Sequence, residues 1–156
     1  MAYAEATKVS VEKSVAEIVT LVRKNAGSQI AQLDDDNRYV LAFTMADRQA
    51  RFTVVFDPVD HKRFQHDGRG STRTAAARRD HWEQHRRQRM RAMLLVIKAK
   101  FESVESGVET FEQAFLANVV MPDRRTVHEH VSETIALQYR TQGVQPLMLA
   151  GPPASG

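Results

Sequence analysis

The sequence of 156 residues contains no cysteine. Disulfide bonds, thiolate nucleophiles and cysteine-ligated zinc are therefore excluded, and a reducing compartment is expected. The longest uninterrupted apolar run, AMLLVI at residues 92–97, is far too short to cross a bilayer. The first residues place no apolar core behind a basic start, so no secretory signal is expected. These absences predict a cytoplasmic protein that does not enter a membrane.

Motifs that carry catalysis or nucleotide binding are also missing. The loop around Gly68 and Gly70 lacks the Gly-Lys-Ser/Thr ending of a P-loop, and no GxSxG element is present. His81 and His85 share a helical face, but the order His-Trp-Glu-Gln-His is not that of a zinc protease. The acidic turn at residues 34–36 lacks EF-hand spacing. We therefore expect a protein without catalysis, cofactor or metal.

Charge is distributed unevenly along the chain. Residues 61–100 hold twelve Lys or Arg against three Asp or Glu, a net charge of +9. The flanking segments are acidic, with net charges of −2 over residues 1–60 and −4 over residues 101–156. A basic block between two acidic ones favours an anionic partner, and the alternative is that the charge only promotes solubility.

The residues of the basic block predict one long helix, residues 75–105, with two different halves. The second half carries an apolar stripe at helical spacing: Met90, Met93, Leu94, Ile97, Phe101 and Val104. The first half surrounds a single tryptophan, Trp82, with arginines. The pattern indicates a helix that packs in a core at one end and presents guanidinium groups at the other.

Periodicity and turn signals predict an α+β fold of one domain, residues 1–143, followed by an extended tail, residues 144–156. The order is a helix, a three-stranded antiparallel meander, the long helix packed on the sheet, and two shorter C-terminal helices. The predicted strands are residues 28–33, 38–45 and 51–56, and residues 59–74 form an exposed loop. Helix-capping residues are Ser10, Thr74, Thr110 and Thr126. The last helix carries an apolar face at i+4 steps: Val127, Val131, Ile135 and Tyr139.

The candidate binding site combines the long helix with the loop before it. Its proposed members are Lys62, Arg63, Arg69, Arg73, Arg78, Arg79, Trp82, Arg86, Arg87 and Arg89. Guanidinium groups would bind phosphates, a base would stack on the indole ring, and both segments would converge on one cleft. Two alternatives remain open. The arginines are solvated on a helix that extends beyond the core, or Arg86 pairs internally with Glu83 or with an acid of residues 34–36.

Several segments resemble an uncharacterised family of small accessory proteins encoded by phages and prophages. The resemblance covers roughly residues 7–140, and the residues that carry it are 7–14, 82–84, 86, 88–89, 96–107, 110–112, 115–117, 120–123 and 125–127. Residues 85–87 are richer in His and Arg than the family pattern. The resemblance implies an accessory protein in the cytoplasm of a bacterial host, and it supplies no catalytic residues.

These observations lead to two functional hypotheses. The first is a protein that binds nucleic acid or a nucleotide-like polyanion without catalysis. The alternative is a protein-interaction module, such as a phage-encoded antagonist of a host defence or regulatory protein, in which Trp82 or the basic helix contacts the partner. A helix of about 45 Å exceeds what three short strands cover, so self-association is open as well.

Overall fold

The order of secondary-structure elements in the computed structural model, which describes residues 4–144 and 146, confirms the predicted α+β fold. In chain order the elements are α1 (Val11–Lys24), β1 (Ser28–Asp34), β2 (Arg38–Met45), β3 (Arg48–Val55), α2 (Lys62–Gln65), α3 (Ala75–Glu105), α4 (Phe111–Phe115), a 3₁₀ turn (Leu116–Asn118) and α5 (Val127–Thr141). The predicted tail, residues 144–156, lies outside the described residues except for positions 144 and 146.

The helices begin where the capping residues predict. Ser10, Thr74, Thr110 and Thr126 each accept a hydrogen bond from the backbone N–H three residues later. The boxes at Thr110 and Thr126 are reciprocal, because the side chains of Gln113 and Glu129 accept from the N–H of the capping residue. Local chemistry therefore sets the start of α1, α3, α4 and α5.

The sheet is an antiparallel meander with β2 in its centre. Residues directly opposite one another share a face, which gives the buried pairs Tyr39 with Val54, Leu41 with Phe52, and Phe43 with Ala50. The apolar faces of α1 and α3 cover this side of the sheet, so that one core includes Ile18, Val22, Met90, Met93, Ile97 and Phe101.

The outer edge of β3 is partly covered by the segment after the 3₁₀ turn. The N–H of Val120 donates to the carbonyl of Gln49 at 2.8 Å, and the side-chain amide of Asn118 donates to the carbonyl of Arg51 at 3.2 Å. These bonds satisfy backbone groups on an edge that would otherwise be open. They also place the start of α5 beside the sheet.

Several boundaries differ from the sequence-based expectation, and β1 and β3 each end one residue away from the predicted position, at Asp34 and Val55. Strand β3 begins at Arg48 rather than Arg51, because the turn after β2 uses only Ala46 and Asp47. The loop predicted for residues 59–74 contains a short helix, α2, in which Phe64 is only 3% exposed. Phe64 packs edge-on against His85 of α3, so that its burial holds the basic segment against the long helix.

Within the described residues, no helix is long and apolar enough to cross a lipid bilayer.

Candidate functional site

Trp82 lies in the interior of the basic region instead of on its surface. Its side chain is 5% exposed, and the indole N–H donates to the carbonyl of Asp57 at 3.0 Å. The guanidinium groups of Arg79 and Arg86 lie 5.7 and 5.0 Å from the centre of its rings. The expectation that a base stacks on an open indole is therefore wrong, because protein groups already occupy that environment.

Three of the predicted cations form ion pairs within the chain. The pairs are Arg63 with Asp57 at 2.7 Å, Arg86 with Asp34 at 3.2 Å, and Arg79 with Glu83 at 3.4 Å. Asp34 belongs to the acidic turn, so one of the two internal partners considered for Arg86 is observed. These three arginines present less free positive charge than the sequence indicates.

Two further arginines are bound to neutral acceptors. Arg73 donates to the backbone carbonyls of Arg63 and Phe64 at 3.3 and 3.4 Å. Arg87 donates through two of its nitrogens to the side-chain oxygen of Gln84, at 3.0 and 2.6 Å. Both guanidinium groups keep their charge, but their hydrogen bonds help to fix the local structure.

The basic side chains do not converge on one cleft. Arg63 and Arg73 line a polar cavity of about 260 Å³ together with His81 and His85. Arg86 and Arg87 line a separate cavity of about 220 Å³, whose other walls include Glu12 and Glu83. The expected shared cleft is absent from the described part of the chain. Four candidates form no side-chain hydrogen bond or ion pair among the described residues: Lys62, Arg69, Arg78 and Arg89.

His85 joins the long helix to the residue that follows Phe56. Its Nε2 accepts a hydrogen bond from the backbone N–H of Asp57 at 3.1 Å, which places the proton of the neutral ring on Nδ1. Burial lowers the pKa of His85, and the positive charge of Arg63 lowers that pKa further, whereas the Asp57 carboxylate at 3.8 Å opposes the shift. His85 is therefore neutral at pH 7.

The histidine pair of α3 is not arranged for a metal. Nε2 of His85 is occupied by the backbone bond, so that nitrogen cannot ligate an ion while the bond is intact. Over residues 4–144 and 146, no group of three or more His, Asp or Glu side chains is placed to hold a metal ion.

A further concavity is apolar and lies beside the start of β3, away from the predicted binding-site residues. A groove of about 980 Å³ separates α5 from a ledge, which we define as Leu116 and residues 119–122. On the α5 side it is lined by Val127, Val131 and Ile135. The rim is polar and includes Arg124 and an ion pair between Arg48 and Glu112 at 3.4 Å. An apolar floor with a charged rim is typical of a protein-binding surface.

Helix α5 is held at its N-terminal end by β3. Arg51 of β3 donates to both carboxylate oxygens of Glu129 at 3.0 Å and to the carbonyl of Arg124 at 2.9 Å. No residue of α5 is fully buried, and exposure rises along its apolar face from Ile135 at 39% to Tyr139 at 84%. The helix therefore carries an apolar stripe, which we define as Val127, Val131, Ile135 and Tyr139, and none of its four residues is buried by the part of the chain that the structure describes.

Sequence reasoning identified this stripe but not its exposure. The i+4 spacing predicts an amphipathic helix, and an amphipathic helix is expected to pack on the core. The ledge residues carry no motif. The bonds of Asn118 and Val120 to β3, together with those of Arg51 to Glu129 and Arg124, bring the ledge and α5 to either side of a groove.

Comparison with known proteins gives no match for this chain among protein-family models, curated proteins or solved structures. The functional argument therefore depends on the groove, the stripe and the accessible basic side chains.

Proposed function

We propose that the protein is a non-catalytic protein-interaction module that binds an amphipathic helix in the groove between α5 and the ledge. The observation that carries the proposal is an apolar groove of about 980 Å³ beside a helix none of whose residues is fully buried. Soluble proteins rarely leave large contiguous apolar patches in water unless the patch contacts a partner.

The shape of the groove favours a helix as its occupant. Val127, Val131 and Ile135 of α5 form one wall over a length of about 12 Å, whereas the ledge forms the other. A helix laid between these walls would place residues at i, i+4 and i+7 against the floor, as in other helix-in-groove complexes. The ion pair of Arg48 with Glu112 and the guanidinium group of Arg124 would then contact its polar edges.

The lowered pKa values of five carboxyl groups have local structural causes. Perturbed titratable groups often mark active sites, but here each has a structural cause. Backbone N–H bonds lower the pKa of Asp35 and Asp67 in turns and of Glu129 in a helix cap. Hydrogen bonds from Arg63 and His130 lower the pKa of Asp57 and Asp123. No nucleophile with an adjacent base is needed to account for them.

A bacterial protein is the partner that the resemblance to phage accessory proteins favours. A host regulatory or defence protein that presents an amphipathic helix would fit this description. The proposal for the groove does not depend on that resemblance, because it is based on geometry alone.

Site-specific photo-cross-linking tests the proposal. We would replace Ile135 with p-benzoylphenylalanine and irradiate the protein in a bacterial lysate, with the same replacement at the neighbouring Ala136 as the control. Ala136 is exposed but lies about 120° around the helix from the centre of the stripe. We expect a discrete adduct from position 135 alone, attached to a segment with apolar residues at helical spacing.

If the partner binds in the groove, a substitution that disrupts the groove should also largely abolish the cross-linked adduct. Val131→Asp should reduce the yield from position 135 by about tenfold or more, because burying an unpaired carboxylate costs more than about 1.4 kcal/mol. Equal labelling from positions 135 and 136, or labelling that is insensitive to Val131→Asp, would contradict the proposal.

A second candidate function is binding of nucleic acid or a similar polyanion. The four candidate cations whose side chains form no hydrogen bond or ion pair with the described residues favour it. Lys62 and Arg69 lie on or just after α2, and Arg78 and Arg89 lie on α3. Such side chains can neutralise phosphates without breaking a hydrogen bond within the protein. The ten predicted binding-site residues are thereby reduced to these four. Binding would be dominated by phosphate contacts and would weaken steeply with salt.

The polyanion hypothesis is tested by the salt dependence of binding to labelled DNA and RNA of mixed sequence. The triple variant Arg69→Gln, Arg78→Gln, Arg89→Gln should reduce the slope of log K against log salt by roughly 3. The matched control, Arg23→Gln, Lys24→Gln, Arg140→Gln, removes the same charge elsewhere and should leave the slope nearly unchanged. Absence of binding at low salt, or equal effects of the two variants, would eliminate this function.

A further inference from the structure

The apolar stripe of α5 both lines the groove and continues beyond it, and this arrangement suggests which helix occupies the groove. Its first three members line the groove, and its last member, Tyr139, extends beyond the groove with 84% of its side chain exposed. The same helix is thus both a wall of a binding groove and an unpaired amphipathic helix of the kind that the groove accepts. Building on the proposed function, we infer that the occupant of the groove is α5 of a second copy, in an antiparallel twofold dimer.

The spacing of the stripe is self-complementary in the antiparallel direction. A twofold axis that passes beside residue 133 places Val131 opposite Ile135 of the second copy and Val127 opposite Tyr139 of the second copy. In this one register, each of the four stripe residues lies opposite a stripe residue of the second copy, as an isologous interface requires. Each large, exposed residue near the C-terminal end then covers a smaller valine near the N-terminal end, so no apolar position of the stripe is left without a counterpart.

Charges around the stripe are compatible with this arrangement. Glu133, which lies nearest the axis along the chain, is about 200° around the helix from its neighbours Val131 and Ile135. The two copies of Glu133 therefore face away from each other. Antiparallel helices also oppose their dipoles favourably, and Arg124, at the start of α5, comes near the carbonyl end of the helix of the second copy. The side chain of Arg124 has no internal partner within the described residues.

The dimer also covers surface outside the helix. With α5 of the second copy in the groove, the ledge contacts that helix as well, and Leu116, which is 50% exposed, becomes part of the interface. By symmetry the α5 pair is enclosed between two ledges. This layered arrangement extends the contact beyond two crossing helices towards the roughly 800 Å² per partner of a stable interface.

Sedimentation equilibrium of the full chain tests whether the dimer exists. The chain has a mass of 17.7 kDa, and we expect a particle of twice this mass at micromolar concentration. Ile135→Asp should raise the dissociation constant at least about tenfold, whereas Ala136→Asp, which adds the same charge beside the stripe, should leave it within about twofold. Circular dichroism of both variants should show unchanged helix content, since both side chains are exposed.

Cysteine cross-linking tests the register, because the natural chain has no cysteine. An equimolar mixture of Val131→Cys and Ile135→Cys should form disulfide-linked dimers under mild oxidation several times faster than either variant alone. A mixture of Val131→Cys with Ala136→Cys serves as the control and should react slowly. Faster self-linking of Val131→Cys would show a parallel or shifted pairing and would overturn the proposed dimer.

Failure of the dimer and failure of the groove give different results. A monomer at all concentrations, with a position-135 adduct to a different protein or to the chain's own residues 147–150, overturns the self-association and leaves the groove as a binding site. A monomer without any specific adduct from position 135 overturns both proposals. A dimer whose stability does not respond to Ile135→Asp overturns the assignment of α5 as its interface.

Discussion

Asp57 is the residue at which the end of the sheet, α2 and α3 are joined. Its carbonyl accepts from the indole of Trp82, its N–H donates to His85, and its carboxylate accepts from Arg63. Trp82 and His85 are both buried, so each needs its polar partner in the folded state. Residues that suggested a ligand site by type therefore serve mainly to hold the basic end of α3 against the sheet.

Protonation of His85 should destabilise the fold. Its pKa is lowered in the folded state, so at a pH between that value and the unfolded pKa of about 6.5 the unfolded chain binds a proton that the folded chain does not. Stability should therefore be fully present above about pH 6.5 and decline as the pH falls through this window, with a slope of at most about 1.4 kcal/mol per pH unit from this group.

Urea unfolding between pH 5 and pH 8 measures this contribution. We expect His85→Gln to be less stable at pH 8 than the natural protein, because the imidazole and its packing are lost, but to show a shallower decline in stability below about pH 6.5. His81→Gln is the matched control, since His81 is exposed on the same helix and should keep the natural slope. The same pH profile for all three proteins would contradict the role of His85.

At the scale of the element, the turn between β2 and β3 carries backbone strain. Ala46 and Asp47 have φ angles of 49° and 59°, the left-handed conformation that a two-residue type I′ turn requires at both positions. Asp tolerates this region and alanine does so poorly, because its Cβ approaches the neighbouring carbonyl oxygen. The tight turn aligns the full lengths of the two strands, which explains why β3 begins earlier than its sequence suggests.

Ala46→Gly should stabilise the protein. The strain relieved in the folded state is of order 1–2 kcal/mol, and the added flexibility of the unfolded chain removes about 0.4–1 kcal/mol of that gain. We expect a net increase of roughly 0.5–1 kcal/mol in the free energy of unfolding, measured by urea denaturation. Ala92→Gly, at an exposed position inside α3, should instead lose about 1 kcal/mol. A loss of stability at position 46 would indicate that the turn adopts another conformation.

Helix α5 shows what local chemistry determines and what it leaves open. The capping box of Thr126 and Glu129 defines its start, and its period defines its apolar stripe. Neither feature specifies what the stripe contacts, because the contacts depend on where the preceding segment places the helix. The bonds of Arg51 to Glu129 and to the Arg124 carbonyl fix α5 beside β3, with its C-terminal half extending past the ledge.

At the scale of the whole molecule, the charge blocks seen along the chain are partly cancelled by the fold. Acidic residues of the first segment pair with the basic block, as Asp34 does with Arg86 and Glu17 with Arg91 at 3.0 Å. The net charge of +9 over residues 61–100 therefore overstates the free positive charge at the surface. The candidate cations that form no ion pair or hydrogen bond with the described residues are spread over α2, the loop that follows it, and α3. This distribution weakens the case for one phosphate-binding cleft.

Aromatic contacts anchor α4 to the rest of the core. The ring of Phe115 lies 5.9 Å from that of Phe52, 6.1 Å from that of Phe43 and 5.1 Å from that of Phe101. These contacts tie α4 to the sheet and to α3 at once, and Phe111 stacks on Phe115 at 4.7 Å. The 3₁₀ turn and the ledge follow directly from this helix in the chain, so the same aromatic contacts help to position one wall of the groove.

The sequence by itself determined the elements of this protein. Helix caps, alternating strands and the stripe of α3 are local or periodic signals, and they predicted the α+β order with errors at β1, β3 and α2. Tertiary structure alone decided which side chains are available. Asp34 meets Arg86 from a position 52 residues earlier in the chain, and the indole of Trp82 is bound by the carbonyl of Asp57, 25 residues before it. The groove likewise depends on contacts between residues far apart in sequence, which no short pattern records. Accessibility is a property of the assembled surface, so the candidate site moved from the basic helix to the apolar face of α5.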